Sequence, residues 1–562
     1  MSIDARQQAR TAVQRAPNDA MAWIVLAEEE LDGGDARAGE AAVRRALTLQ
    51  PGHPEALARL GRAQWMQGAR RDAVDSLQQA SDAAPHHPGI AVWLAHALED
   101  IGEGEAASDA YARAHALAPG EPQLAAYLLA WRRRLCDWRD LEGLTQQVRL
   151  AVRERRAAVE PFAFLSEDAT PAEQLACAQL RASQVASSGR PLPSPPAPSG
   201  DGLRVGFLSN GFGAHPTGLL TVAMFEALRV QCDAGNHTGW QTHLFALNRD
   251  DASPLRARLQ AAAHVLHDMS QRAHGDVARA IRDARIDVLF DLRGWGGGGA
   301  PEVLAMRPAR VQVNWLAYPG TSGAPWIDAV LADAVVLPDA LAPHFSERVL
   351  RLPRCFQPSD TSRALPAPPS RAECGLPDDG VVFCCFNNSY KLNPRSVART
   401  LAVLRGVPGS VLWLLSGPGR ADDRLRDVAR QHDVDPARLV FMPKQPHAAY
   451  LSRLQRADLF LDTTPYNAHT TASDALWAGC PVLTTMGETF AARVAGSLNV
   501  HLGMAHMNVA DDQAFIARAV AIGLDPAQRR ALRAEVHARR IQSGLFDMHA
   551  FARDFAALVR RL

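Results

Sequence analysis

Prolines stand at positions 17, 51, 85 and 119, each 34 residues after the last. A spacing held over four copies restricts the fold more than any local motif in the chain. A unit of this length is one pair of helices, too small to bury its own apolar face, so it must stack on its neighbours. Counted from the third residue after each proline, Trp23, Leu57 and Ala91 take the fourth place, and Leu26, Leu60 and Leu94 the seventh. Ala27, Gly61 and Ala95 take the eighth and Ala46, Ala80 and Ala114 the twenty-seventh, small residues where two helices have to touch. Three full copies span about 20 to 121; residues 1–16 fit the second helix of a truncated copy, and 122–135 the first helix of another. The expectation is an all-α superhelix over 1–135, with a concave face that binds protein or peptide or buttresses a neighbour.

The strict repeat then stops, and residues 136–189 read as a helical extension. Between 190 and 201 the composition turns to Pro, Ser and Gly, which sustain neither helix nor sheet and mark a domain boundary. Beyond it short apolar runs alternate with amphipathic stretches: Leu203–Ser209, His243–Leu247, Asp287–Leu292 and Val311–Leu316. A second proline-rich break covers 358–377, followed by Val381–Phe386, Val411–Leu415, Leu439–Met442, Leu459–Asp462 and Pro481–Thr485. This rhythm predicts two Rossmann-like α/β lobes, 202–357 and 378–546, sharing one cleft and closed by a helix over 547–562. Lys and Arg (60) balance Asp and Glu (60), so no global field recruits nucleic acid or an anionic membrane, and any anion site must be local. The eight cysteines form no C-x-x-C pair, and no run of about 18 apolar residues occurs; a soluble protein of the cytoplasm is expected.

Chemistry concentrates after the apolar run Ala457–Asp462, where a turn-prone Pro465-Tyr-Asn leads to His469-Thr-Thr and a helix predicted from about Thr470. The free N–H groups of such a helix face the carboxyl end of a parallel sheet, a place suited to phosphate. His469, Thr470 and Thr471 add side-chain donors, and Asp474, one turn on, can accept from a ribose diol; the alternative is an ordinary threonine cap and a solvated aspartate. His215, after the glycine-rich Asn210-Gly-Phe-Gly-Ala stretch, is either a base facing the cleft or a histidine capping a helix. Lys391, ending Phe386-Asn-Asn-Ser-Tyr-Lys, is either a counter-charge for a departing diphosphate or a surface lysine. Gln445, Tyr450 and Arg453 follow the third strand of the second lobe, where a nucleobase would lodge. Tyr318, Pro319, Gly320 and Thr321 either shape a sugar pocket or form a tight turn. Asp433-Val-Asp435 has D-x-D spacing but no partner nearby and is assigned no metal.

The repeat resembles the tetratricopeptide repeat. Together with Trp315-Leu-Ala-Tyr-Pro-Gly-Thr-Ser-Gly-Ala, Phe386-Asn-Asn-Ser-Tyr-Lys, His469-Thr-Thr-x-x-Asp and Leu476-Trp-Ala-Gly, it resembles protein O-GlcNAc transferase in a compact bacterial-type form. The resemblance implies a GT-B fold and an inverting, metal-independent transfer of GlcNAc from UDP-GlcNAc to Ser or Thr hydroxyls, with no cofactor. By position it implies Lys391 on the donor diphosphate, with Asn388 nearby where the family usually has glutamine. His469, Thr470 and Thr471 would form the phosphate triplet, and Asp474 would take the ribose. Gln445 stands for an alanine by the uracil, His447 for a lysine beside the ribose and Tyr450 for a histidine near the nucleotide, while Arg453 matches. His215, in His215-Pro-Thr217, corresponds to a proposed general base. The implied partners are a UDP-sugar and a protein or peptide acceptor along the repeat groove. A related O-fucosyltransferase using GDP-fucose, or a repeat scaffold with a weak transferase module, is the alternative.

Overall fold

The structure is a computed structural model, and it describes residues 3–186, 190–193, 202–237 and 239–562. The expected linker at 190–201 lies mostly outside them. The chain divides into two compact units, Met1–Val148 with Gly417–Ala421, and Arg149–Ser416 with Asp422–Leu562.

The first unit is built of helix pairs, Ala20–Asp32 with Ala36–Leu49, Pro54–Met66 with Arg70–Ala83, and Pro88–Asp100 with Gly104–Leu117, flanked by Ile3–Arg15 and Pro122–Arg134. Each inner turn carries a glycine in the left-handed region, Gly34, Gly68 and Gly102, with φ of +85°, +82° and +83°. That conformation is cheap for glycine and strained for other residues, so the turn recurs with the repeat. The small eighth place is fixed by packing. A Cβ added to Gly61 would lie 2.5 Å from Leu77 Cγ. Ala46, Ala80 and Ala114 are fully buried.

The second unit holds two parallel sheets. The first contains β1 (Leu203–Ser209), β2 (Trp240–Ala246), β3 (Val265–Asp268), β4 (Val288–Asp291), β5 (Val311–Asn314), β6 (Ala329–Asp333) and β7 (Arg348–Leu352). The second contains β8 (Val382–Cys385), β9 (Val411–Leu415), β10 (Leu439–Met442), β11 (Leu459–Leu461), β12 (Val482–Thr485) and β13 (Asn508–Val509). Their orders are β3-β2-β1-β4-β5-β6-β7 and β10-β9-β8-β11-β12-β13. In each sheet the winding reverses beside the first strand, between β1 and β4 and between β8 and β11, and a crevice opens at the carboxyl ends there. The segments after β1, β8 and β11 carry His215, Lys391 and His469.

Strands β3, β6, β7 and β13 are absent from the strand expectations. β3 and β7 are edge strands with the polar sequences Val-Leu-His-Asp and Arg-Val-Leu-Arg-Leu, and β13 is two residues long. β6 is buried throughout, but Ala329 and Ala332 weaken its apolar signal. The helix Pro171–Ala186 packs on the first lobe, where Ala182 and Val185 share a core with Leu208, Phe245 and Leu289. The final helix, Met548–Val559, crosses back to the same lobe, stacking Phe555 on Trp315 with ring centroids 5.2 Å apart. Among the described residues no helix is long and apolar enough to cross a membrane.

Candidate active site

The Thr470–Trp477 helix follows β11, and no side chain caps its N-terminus. The loop before it is held from beneath by Asp462, buried at the strand end, whose Oδ1 accepts from the Ala468 N–H at 2.7 Å and the Thr463 N–H at 2.8 Å. Asn387 donates to Thr463 Oγ1 at 2.8 Å and accepts from the Thr471 hydroxyl at 2.7 Å, pinning the helix start to the end of β8. Asn387 stands among the amides of the Phe386-Asn-Asn-Ser-Tyr-Lys motif, but sequence reading assigns it no role of its own. Lys391 is buried. Its ammonium donates to Asn467 O at 2.7 Å and lies 3.8 Å from the centre of the Tyr466 ring. Burial pushes its pKa down to about 7, against the pull of Asp462. This is a desolvated amine, only partly protonated at neutral pH, beside a bare helix N-terminus, and not a surface lysine.

Two expected phosphate donors are otherwise engaged. His469 Nε2 donates to Ala491 O at 3.1 Å, which leaves Nδ1 without a proton in the neutral ring, and burial holds that ring well below the usual histidine range. Thr471 spends its hydroxyl on Asn387. His469 and Thr471 thus serve the loop itself, and the uncapped first turn with Lys391 close by is what this end of the helix offers an anion.

A second cluster lies one turn along. Asp474 is buried; its Oδ1 accepts from Arg363 Nη1 at 2.7 Å, and its Oδ2 lies 3.3 Å from His447 Nε2. Tyr450 stacks near His447 with centroids 6.1 Å apart and meets Phe386 edge-on, and its buried hydroxyl has no partner. Gln445 turns back onto Pro443 O at 3.2 Å, and Asn388 is exposed at the start of the short 3-10 turn Ser389–Lys391. Arg453 stands apart: it donates to Ala449 O at 3.2 Å in its own helix, and its charge is felt by Glu373 and Cys374. The structure thus joins His447, Tyr450 and Asp474 and leaves Arg453 outside. Arg363, in the interlobe segment, is a member that sequence reading missed.

On the first lobe, His215 is the N-cap of the Pro216–Asp233 helix, and its Nδ1 accepts from the Thr217 N–H at 3.1 Å. The capping alternative is what the backbone shows. In the neutral ring this bond places the proton on Nε2, which is a donor unless the cap breaks. Burial, with the Arg293 and Lys444 cations nearby, pushes its pKa down to about 4. The glycines on either side of it allow close approach within the chain itself. A Cβ on Gly218 would lie 2.4 Å from Gly213 O, and one on Gly213 would lie 2.4 Å from Asp251 Oδ2.

The Trp315–Ala324 stretch is a locked turn. Leu316 is held at φ +87°, Asn314 Nδ2 donates to Gly320 O at 3.0 Å, and Thr321 donates to the buried Glu347 at 2.6 Å. Tyr318, Pro319 and Gly320 are buried with it, Tyr318 packing under Gly294. Thr321 spends its hydroxyl on Glu347, and the four residues form the tight turn that was the alternative to a sugar pocket. Asp435 caps a short turn by accepting from the Ala437 N–H at 2.9 Å.

Comparison with known proteins decides the family. The profile of glycosyl transferase family 41 matches residues 191–367 and 365–555. The chain belongs to that family. This family 41 chain is 34% identical over 352 residues to the Probable UDP-N-acetylglucosamine–peptide N-acetylglucosaminyltransferase SEC of Arabidopsis thaliana, covering 61% of this chain and 35% of the relative. It is 27% identical over 479 residues to the UDP-N-acetylglucosamine–peptide N-acetylglucosaminyltransferase of Caenorhabditis elegans, covering 65% and 41%. The chain thus spans between a third and about two-fifths of the length of these relatives. A solved lysine-to-methionine mutant of the O-GlcNAc transferase of Thermobaculum terrenum shares the fold, with a TM-score of 0.68, 24% identity and 96% of each chain covered.

Proposed function

We propose that this family 41 enzyme transfers GlcNAc from UDP-GlcNAc to Ser or Thr hydroxyls of a protein, with inversion and without a metal. The observation that carries the reading is Lys391, a buried ammonium 2.7 Å from the loop that leads into the uncapped Thr470–Trp477 helix. A diphosphate leaving group develops charge as the sugar–phosphate bond breaks, and a preorganised cation with a helix N-terminus stabilises it where a metal would otherwise be needed. The ribose falls to Asp474, one turn along the same helix, and the base to the pocket beside Tyr450.

In a single displacement the acceptor oxygen attacks the anomeric carbon from the face opposite the diphosphate, UDP leaves, and the hydroxyl proton passes to a base. His215 is placed to orient the acceptor through Nε2–H. It takes the proton only in the other tautomer, with the cap to Thr217 opened. The similarity to enzymes named as acting on peptides supports a protein acceptor, and the repeats are the candidate surface for choosing it.

The test is mass spectrometry of a host lysate incubated with the protein and a panel of nucleotide sugars, with and without EDTA. Consumption of UDP-GlcNAc, with the corresponding mass gain on Ser or Thr residues and unchanged yield in EDTA, is the expected result. Consumption of GDP-fucose in preference, or transfer to small molecules alone, would overturn it.

A further inference from the structure

The segment joining the two lobes is tied to both of them by buried charge. Asp360 is 1% exposed and takes both ends of the Arg258 guanidinium, at 2.7 and 2.9 Å, while Arg258 is also held by Glu226 at 2.8 Å. Asp360 Oδ1 accepts from the Ser362 N–H at 3.0 Å, and Ser359 Oγ lies 3.3 Å from Ser473 Oγ, beside Asp474 in sequence. Three residues after Asp360, Arg363 donates to Asp474 at 2.7 Å, with both side chains 4% exposed. Its guanidinium lies 5.0 Å from the centre of the Trp477 ring, and its Nε and Nη2 are buried without an acceptor.

Burying an ion pair adds little net stability, because desolvation offsets the attraction; what it fixes is geometry. Asp474 has two oxygens with about four acceptor positions, of which Arg363 and His447 take two. The rest belong to a carboxylate only 4% exposed, and their orientation is the one Arg363 dictates. We propose that Arg363 is a positioning residue of the donor site: it holds the Asp474 carboxylate so that its remaining acceptor positions meet the ribose diol. The inference rests on the reading of Asp474 as the ribose partner. Arg363 is held in turn by the strap 359–363, whose other end is fastened to the first lobe through Asp360 and Arg258.

The test is titration calorimetry of the full chain with UDP and with 2′,3′-dideoxy-UDP, for the wild type, Arg363→Met and Arg363→Lys. The wild type is expected to prefer UDP by roughly tenfold or more, the range for charge-assisted hydrogen bonds to a carboxylate. Arg363→Met should lose that preference while binding dideoxy-UDP within about twofold of the wild type. Arg363→Lys, which keeps the charge without the planar fork, should retain part of it. An equal loss for both nucleotides in Arg363→Met would mean that Arg363 only supports the fold, and a full preference in either variant would mean that Asp474 needs no orienting; both overturn the proposal. A wild type that binds the two nucleotides equally would instead refute the ribose role of Asp474, and the proposal with it. Should Arg363→Met fail to fold, the Lys variant decides alone: full preference refutes, partial preference supports.

Discussion

Lys391 holds its proton weakly, and that gives the donor site a signature in pH. With its pKa pushed down to about 7, the free protein carries a mixture of ammonium and amine at neutral pH. A bound diphosphate favours the ammonium and raises that pKa, so binding above pH 7 must take up a proton. UDP affinity should therefore fall as pH rises from about 7 to 9, by up to roughly tenfold per unit, and flatten below about 6. Calorimetry in buffers of different ionisation enthalpy reads the proton directly. Lys391→Met should abolish the uptake and lower turnover by roughly 10²-fold or more; undiminished proton uptake in that variant would assign it to another group. His215 calls for a substitution that separates its two nitrogens. His215→Asn preserves an acceptor for the Thr217 N–H, so stability should stay within about 0.5 kcal/mol while kcat falls by roughly 10²-fold with UDP affinity unchanged. With its pKa down to about 4, His215 stays neutral across the working range, and a wild-type rate profile should show no ascending limb near pH 6.5 from this group. At this scale the sequence reveals which residues stand at strand ends, since that follows from their neighbours in the chain. It does not reveal where their protons go. The Nε2–H of His469 goes to Ala491 and the hydroxyl of Thr471 to Asn387, partners brought in by folding from 22 and 84 residues away.

Elements were legible where the pattern repeats or the burial is two-sided. β1 and β9, inside their sheets, have the expected ends, as does β10, an edge strand that keeps an apolar run, and the phosphate-side helix begins at Thr470 as expected. The polar edge strands β3 and β7 were not legible, because a strand paired on one side needs no apolar run to hold it. The helix pairs make the sharpest prediction at this scale. The eighth place of the second repeat leaves no room for a side chain, with Leu77 Cγ and Ala73 O at 2.5 and 3.0 Å from a modest added Cβ. Gly61→Val should destabilise the helical unit by about 1 to 3 kcal/mol through overpacking, seen as an earlier loss of helical circular dichroism on heating. The exposed turn glycine Gly68 offers a control: Gly68→Ala meets no atom within 4 Å but forces φ +82°, so its effect should come from backbone strain alone.

At the scale of the whole molecule, the second lobe's chain ends in the first lobe's core. Phe555 lies fully buried between Trp315, at 5.2 Å, and Phe290, at 5.1 Å, with Trp240 and Phe207 beyond. Phe555→Ala should destabilise the first lobe by about 3 to 5 kcal/mol, read as a lower urea midpoint for the change in tryptophan fluorescence. An unchanged midpoint would show that the closing helix is dispensable. The closing helix was expected from the sequence, but its partners and those of the strap cannot be read from a linear pattern, since Arg258 and Asp360 are 102 residues apart and Gln231 meets the backbone of His549 across 318.

The return crossing also sets an order of events during synthesis. The ribosome delivers the repeats before the lobes, and these can stack as they emerge because their contacts are local. The first lobe comes next, yet the face formed by Trp315, Phe290 and Phe207 stays uncovered until Phe551 and Phe555 leave the exit tunnel. For as long as it takes to translate the intervening two hundred or so residues, at roughly 5 to 20 residues per second, a nascent chain displays an aromatic surface that chaperones and proteases can reach.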